Sequence, residues 1–128
     1  MFRLGNKSRE NLDGVQPVLV RVIERALQIS KVDFGIPNTG GKRTAKEQWL
    51  MYLDGKSQLD GYVEVSNHQI GEAFDIFAYV DGKANYDICN LALCACAVLQ
   101  AASELGVRIA WGGHFTNFLD MPHFELKR

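Results

Sequence analysis

His68 and Asp75 stand seven residues apart with Gly71 between them, and His123 follows Asp120 by three residues. Two histidines and one carboxylate are a common catalytic zinc set, with the fourth position left to water. In such a site the metal polarises a carbonyl and lowers the pKa of its water toward ~7. Asp75 lies in an apolar run from Ala73 to Val80, where an unpaired carboxylate is costly. A positive partner must face it, and a metal qualifies. Gly71 lets the chain fold back so that His68 and Asp75 meet. Asp120, with Pro122 restricting the chain between it and His123, suits a general base that passes a proton from water to a leaving amine. Arg43 or Ser66 would stabilise an oxyanion or bind a substrate carboxylate. His114 either lines the cleft or is structural. Each histidine alone is compatible with a structural role. It is their joint placement beside carboxylates, in glycine-punctuated apolar segments, that points to metal-assisted hydrolysis.

Several elements must position these groups. Val18, Leu19, Val22, Ile23, Ala26 and Leu27 fall at helical spacing after Pro17, predicting an amphipathic helix of about four turns. Asp33 to Ile36 reads as a short strand. Thr44-Ala45-Lys46-Glu47 has the form of a capping box opening a helix that runs to about Asp54 and stops at Gly55. Arg43 then falls just outside that helix, where it is either aimed into a cleft or solvated. Lys56 to Val65 is polar and loop-like. A strand is expected from Ala73, with Ala73, Asp75 and Phe77 on one face. Asn85 is expected to cap a long, nearly all-apolar helix to about Leu105, with Asp87 in its first turn. Val107 to Trp111 and His123 to Leu126 read as strands, His123 sharing a face with Glu125. Such elements, not alternating regularly, predict a small single α+β domain with a central antiparallel sheet flanked by helices.

The chain of 128 residues is expected to be one catalytic domain, 1–128, without a separate wall-binding module. Its composition, 47% hydrophobic and 23% charged with a net charge of −1, is that of an ordinary globular protein. It implies no basic surface for nucleic acid or anionic lipid. The N-terminal stretch lacks the apolar core of a secretory signal, and the run Leu91 to Leu99 is too short to span a bilayer, so no membrane insertion is expected. The three cysteines lack metal-type spacing and are expected to be buried free thiols, as suits a reducing cytoplasm.

These motifs resemble those of the zinc D-Ala-D-Ala carboxypeptidase and L-alanyl-D-glutamate endopeptidase family, and most of all its small phage endolysins. The family's Ser-x-His-x-x-Gly-x-Ala-x-Asp pattern stands here as Ser66, His68, Gly71, Ala73 and Asp75. Its Trp-Gly-Gly segment is Trp111 to Gly113, and its acid-x-x-His-Phe-Glu segment runs from Asp120 to Glu125. Gly41, Arg43, Thr44 and Gln48 match a further element. The resemblance spans nearly the whole chain. It implies one Zn2+ on His68, Asp75 and His123, with Asp120 as the general base. It also implies a substrate site lined by Arg43 and Ser66, to which Gln48 and Trp111 are added from the same motifs. The implied substrate is the peptidoglycan stem peptide, cut at the L-Ala–D-Glu bond by a monomer. A phage enzyme of this kind would stay in the host cytoplasm until the membrane is permeabilised. A D-Ala-D-Ala carboxypeptidase or dipeptidase, and a non-catalytic metal-stabilised module, are the alternatives.

Overall fold

The computed structural model describes residues 1–127. Four helices, α1 (Asn6–Asn11), α2 (Pro17–Ile29), α3 (Ala45–Leu53) and α4 (Ile88–Leu105), are joined by short strands. The strands are β1 (Asp33–Gly35), β2 (Ala73–Asp75), β3 (Phe77–Val80), β4 (Lys83–Asn85), β5 (Ile109–Trp111) and β6 (His123–Leu126). They form two three-stranded antiparallel sheets, ordered β1-β3-β4 and β2-β6-β5.

The fold is α+β, and its antiparallel pairing is divided between two sheets where a single central one was expected. The division falls at Ile76. Its amide leaves both ladders and donates to the Pro122 carbonyl (2.9 Å), so β2 and β3 feed different sheets. Asp75 and Phe77 consequently belong to separate sheets and share no common face.

α2 buries Leu19, Val22, Ile23, Ala26 and Leu27, the stripe set by its 3.6-residue period, against α4. α4 contributes Leu91, Cys94, Ala95, Val98, Ala101 and Ala102, and its small residues admit close helix approach. It is long and apolar enough to cross a membrane by composition, yet its packing on α2 and β3 makes it the core helix of this fold. The buried rings of Phe74 and Phe124 face each other across β2 and β6 with centroids 5.1 Å apart. Removing either ring would cost about 3–5 kcal/mol.

Two local expectations are corrected. Asp87, and not Asn85, caps α4, accepting from the amides of Cys89 (2.9 Å) and Asn90 (3.3 Å). Asn85 is instead drawn into β4, opposite Ala78. Of the cysteines only Cys94 is buried, while Cys89 and Cys96 are exposed. The helix packs on one face, and Cys96 lies about 200° around it from Cys94.

Candidate metal centre

His68 sits in a 3-10 turn, Asn67–Ile70, closed by a capping box. The Ser66 hydroxyl accepts from the His68 amide (3.2 Å), and the Gln69 side chain accepts from the Ser66 amide (2.8 Å). Asp75 ends β2 and His123 opens β6, and the register of the two strands sets these residues directly opposite one another. The Asp75 amide is tied to the Gly40 carbonyl (2.7 Å) and the His123 amide to that of Asp120 (3.1 Å). Two neighbouring side chains thus meet a third from 48 residues beyond Asp75. Nε2 of His68, Nδ1 of His123 and a carboxylate oxygen of Asp75 lie within 4.8 Å of one another.

The outer hydrogen bonds decide which ring nitrogens face inward. Nδ1 of His68 lies 2.8 Å from the Gly41 carbonyl, which can only accept, so the proton is on Nδ1. Nε2 of His123 lies 2.7 Å from Glu125 Oε1 and donates to it. In the neutral rings, therefore, His68 Nε2 and His123 Nδ1 both present lone pairs, 3.2 Å apart. Asp75 Oδ1 completes the set at 3.3 Å from the first and 3.0 Å from the second. Three acceptors with no donor among them require a cation or a proton at their centre. The donor set fits a metal ion, and the Gly41 and Glu125 bonds orient the rings as outer partners of metal ligands do.

Without an ion a proton takes that place. Burial disfavours the His123 cation, but hydrogen bonds to Asp75 and Glu125 outweigh burial and lift the ring to about 9. Burial likewise opposes the Asp75 carboxylate, yet its bonds to His123 and His68 hold it well below the usual carboxylate range. The His123 bond lowers Glu125 as well.

Arg43 is buried, not solvated. Its Nη2 donates to Asp75 Oδ2 (2.7 Å), Nη1 to Gln48 Oε1 (2.9 Å) and Nε to the Thr39 carbonyl (2.7 Å). Burial lowers its pKa, and the charges of Asp75 and Asp120 pull the other way. Gln48 is fully buried, and its amide group donates to Ser57 Oγ and the Leu59 carbonyl, both at 2.8 Å. It stands behind Arg43, outside the set of cleft-lining residues. Its burial explains why a helix of weak amphipathicity is anchored at all: α3 hangs on a polar side chain.

The centre opens into a cleft of about 720 Å³ lined by Arg43, Ser66, Asp120, Tyr86, Phe115 and Phe118, among others. Asp120 shares the cleft without joining the three-residue cluster. Burial, and next the Asp75 charge, raise its carboxyl, with His123, His68 and Arg43 offsetting part of the rise. Its backbone is fixed by Gly112, whose carbonyl accepts from the Asp120 amide (3.0 Å). The contact is so close that a Cβ at Gly112 would run into the Asp120 carbonyl. Trp111 lies behind this loop, donating from Nε1 to the Met121 carbonyl (2.7 Å), with His114 edge-on to its ring. Neither lines the cleft.

Sequence reading assigned no role to Glu125, Lys56, Tyr86, Phe115 or Phe118. Glu125 was accessible to it, being two residues from His123 on a strand and so on the same face. The others lie in loops whose path local patterns do not encode. Burial and the Asp75 charge raise the Tyr86 phenol, and the Lys56 ammonium offsets them, so both charges act on one hydroxyl.

A family model described as phage L-alanyl-D-glutamate peptidase matches residues 1–127. The L-alanyl-D-glutamate peptidase of Escherichia phage T5 is 33% identical over 128 residues, covering 99% of this chain and 90% of that protein. The crystal structure of the L-Ala D-Glu endopeptidase ChiX of Serratia marcescens matches with a TM-score of 0.85 at 38% identity, covering 98% of this chain and 90% of that one. Since sequence and backbone agree over almost the full length of the chain, it belongs to the phage L-alanyl-D-glutamate peptidase family.

Proposed function

We propose that this protein is a zinc-dependent endopeptidase that hydrolyses the L-Ala–D-Glu bond of the peptidoglycan stem peptide. The observation that carries this reading is the meeting of three acceptor atoms, from His68, Asp75 and His123, beside an open cleft. The relatives named for that bond supply its substrate. Two imidazole nitrogens and a single carboxylate suit zinc better than magnesium or calcium, which prefer oxygen ligands. Zinc held by these residues would supply a Lewis acid for the scissile carbonyl and acidify a water at the open position.

The remaining work falls to side chains of the chain itself. Asp120, outside the ligand cluster and with its carboxyl raised by burial, takes the proton of the attacking water. As the carbon–oxygen bond forms and the carbon–nitrogen bond breaks, it delivers that proton to the leaving D-Glu amine. Arg43 commits three of its five N–H groups to Asp75, Gln48 and Thr39, and the remaining two serve the developing oxyanion. Gln48 holds Arg43 in place. Ser66, whose oxygen already accepts from the His68 amide, keeps its O–H for the substrate backbone.

Digestion of purified peptidoglycan followed by mass spectrometry tests the reading. Stem peptides with a new N-terminal D-Glu, and L-Ala left on the glycan, are expected. Release of D-Ala alone would place the chain with the carboxypeptidases. Elemental analysis should find about one zinc per chain, lost in a His68→Ala/His123→Ala variant.

A further inference from the structure

The leaving half of the proposed substrate is an anion. D-Glu continues the stem through its γ-carboxyl, so its α-carboxylate is free and sits on the carbon bearing the scissile nitrogen. The cleft that must receive it is itself acidic, lined by Asp75, Asp120 and Glu125. A free carboxylate needs a cation there. Besides histidines, the described residues lining the cleft include two, Arg43 and Lys56.

Arg43 is poorly placed for the task. It is buried, and each of its three nitrogens already holds a protein oxygen, one of them on the ligand Asp75. Its two uncommitted N–H groups are taken by the oxyanion in the mechanism above. Turning the guanidinium further, toward a substrate carboxylate, would release Asp75 and unfasten Gln48. Lys56 has the opposite character. Its ammonium is 68% exposed and, among the described residues, pairs with the equally open Asp54 at 3.2 Å. Solvent screens such a pair, and an incoming carboxylate can replace it.

The backbone of Lys56 is nonetheless fixed. α3 ends in a Schellman motif, in which the Gly55 amide donates to the Tyr52 carbonyl (3.1 Å) and the Lys56 amide to that of Met51 (2.9 Å). Gly55 takes the left-handed conformation this requires (φ +75°). The next residue is pinned as well, since Ser57 Oγ accepts from the buried Gln48 amide. Gln48 therefore anchors both Arg43 and the segment that carries Lys56. An exposed side chain on a fixed stem is delivered to the cleft lining, close enough that its charge and that of Asp75 act on the same Tyr86 hydroxyl.

We infer that Lys56 is a specificity-determining residue that pairs with the free α-carboxylate of the D-Glu on the leaving side of the scissile bond. The inference rests on the endopeptidase reading above and deepens it. It predicts that the enzyme distinguishes stems carrying D-Glu from stems in which that carboxylate is amidated.

The test uses the zinc-loaded full chain and two muramyl tripeptides, identical except that the second carries an α-carboxamide on D-Glu. The wild type should favour the acid by about tenfold in kcat/KM, the order expected for one solvent-exposed charge-assisted contact. Lys56→Met should lose that factor on the acid and change little on the amide, and Lys56→Arg should keep the preference. A wild type that treats both substrates alike overturns the inference. So does a Lys56→Met protein that retains the preference, or that loses equally on both. Failure of the wild type to cleave either one would instead overturn the endopeptidase reading, and this inference with it.

Discussion

The ligand cluster makes a quantitative statement about protons. In the metal-free protein the centre of the cluster holds a proton on His123, whose ring is lifted to about 9 by Asp75 and Glu125 against the cost of burial. A metal ion must displace that proton. At pH 7, two units below, about 99% of the rings carry it, and apparent zinc affinity should rise about tenfold per pH unit up to pH ~9. Between pH 6 and pH 8 the dissociation constant should therefore fall roughly 100-fold. Calorimetric titration in buffers of different ionisation enthalpy should count about one proton released per ion at pH 7. The same shift acts on stability with the opposite sign. A folded pKa above the unfolded value near 6.5 stabilises the metal-free fold fully below pH ~6.5, by an amount on the order of 3 kcal/mol. That contribution is lost as pH rises through about 9, so the metal-free Tm should decline over that window. Zinc affinity that is flat from pH 6 to 8, with no proton released, would refute the account of the cluster as a proton-filled metal site.

Asp120→Asn should retain zinc and thermal stability while losing about 10²–10⁴-fold in rate, and loss of zinc with activity would make Asp120 a ligand or a structural group. Glu125→Ala should weaken zinc binding by about 10–100-fold in a competition titration, with a smaller loss for Glu125→Gln, which can still accept from His123 Nε2. Gly112→Ala, by forcing a Cβ against the Asp120 carbonyl, should cost about 1–3 kcal/mol in denaturant unfolding and depress the rate. A variant of wild-type stability and rate would show that this close approach is dispensable.

The parts of the molecule legible in its sequence were those governed by local rules. The apolar period of α2, the capping box at Thr44 and the glycine stop at Gly55 depend only on neighbouring residues, and they stand where the pattern put them. His68, Asp75 and His123 were legible as a candidate set because an unpaired Asp75 is costly in an apolar strand. Two of the three histidines also stand near carboxylates in glycine-punctuated segments, and the fold brings the three site residues together. What local patterns cannot carry is competition between distant segments. Asn85 was a sound helix cap until its pairing with Ala78 claimed it for a strand. The apolar run from Ala73 to Val80 reads as one strand, and only the Pro122 carbonyl, far along the chain, divides it at Ile76. Arg43 and Gln48 have the same origin. Nothing near them in sequence says that one buries against Asp75 and that the other bridges it to Ser57.

The pairing of Asp75 opposite His123 also has a consequence for when the protein becomes active. In a growing chain His68 is made 55 residues before His123 exists. Until β6 is synthesised and docks on β2, the chain offers a histidine and a carboxylate with no third ligand, too poor a grip for an ion. Capture of an ion by the full set would await closure of this long loop, among the slower events of folding. A captured ion would act as a reversible crosslink that favours the docked strand over every state in which it has come away. On the proposed mechanism, hydrolytic competence would arrive as one of the last acts of folding, and a chain in which β6 has come away from β2 would be inert.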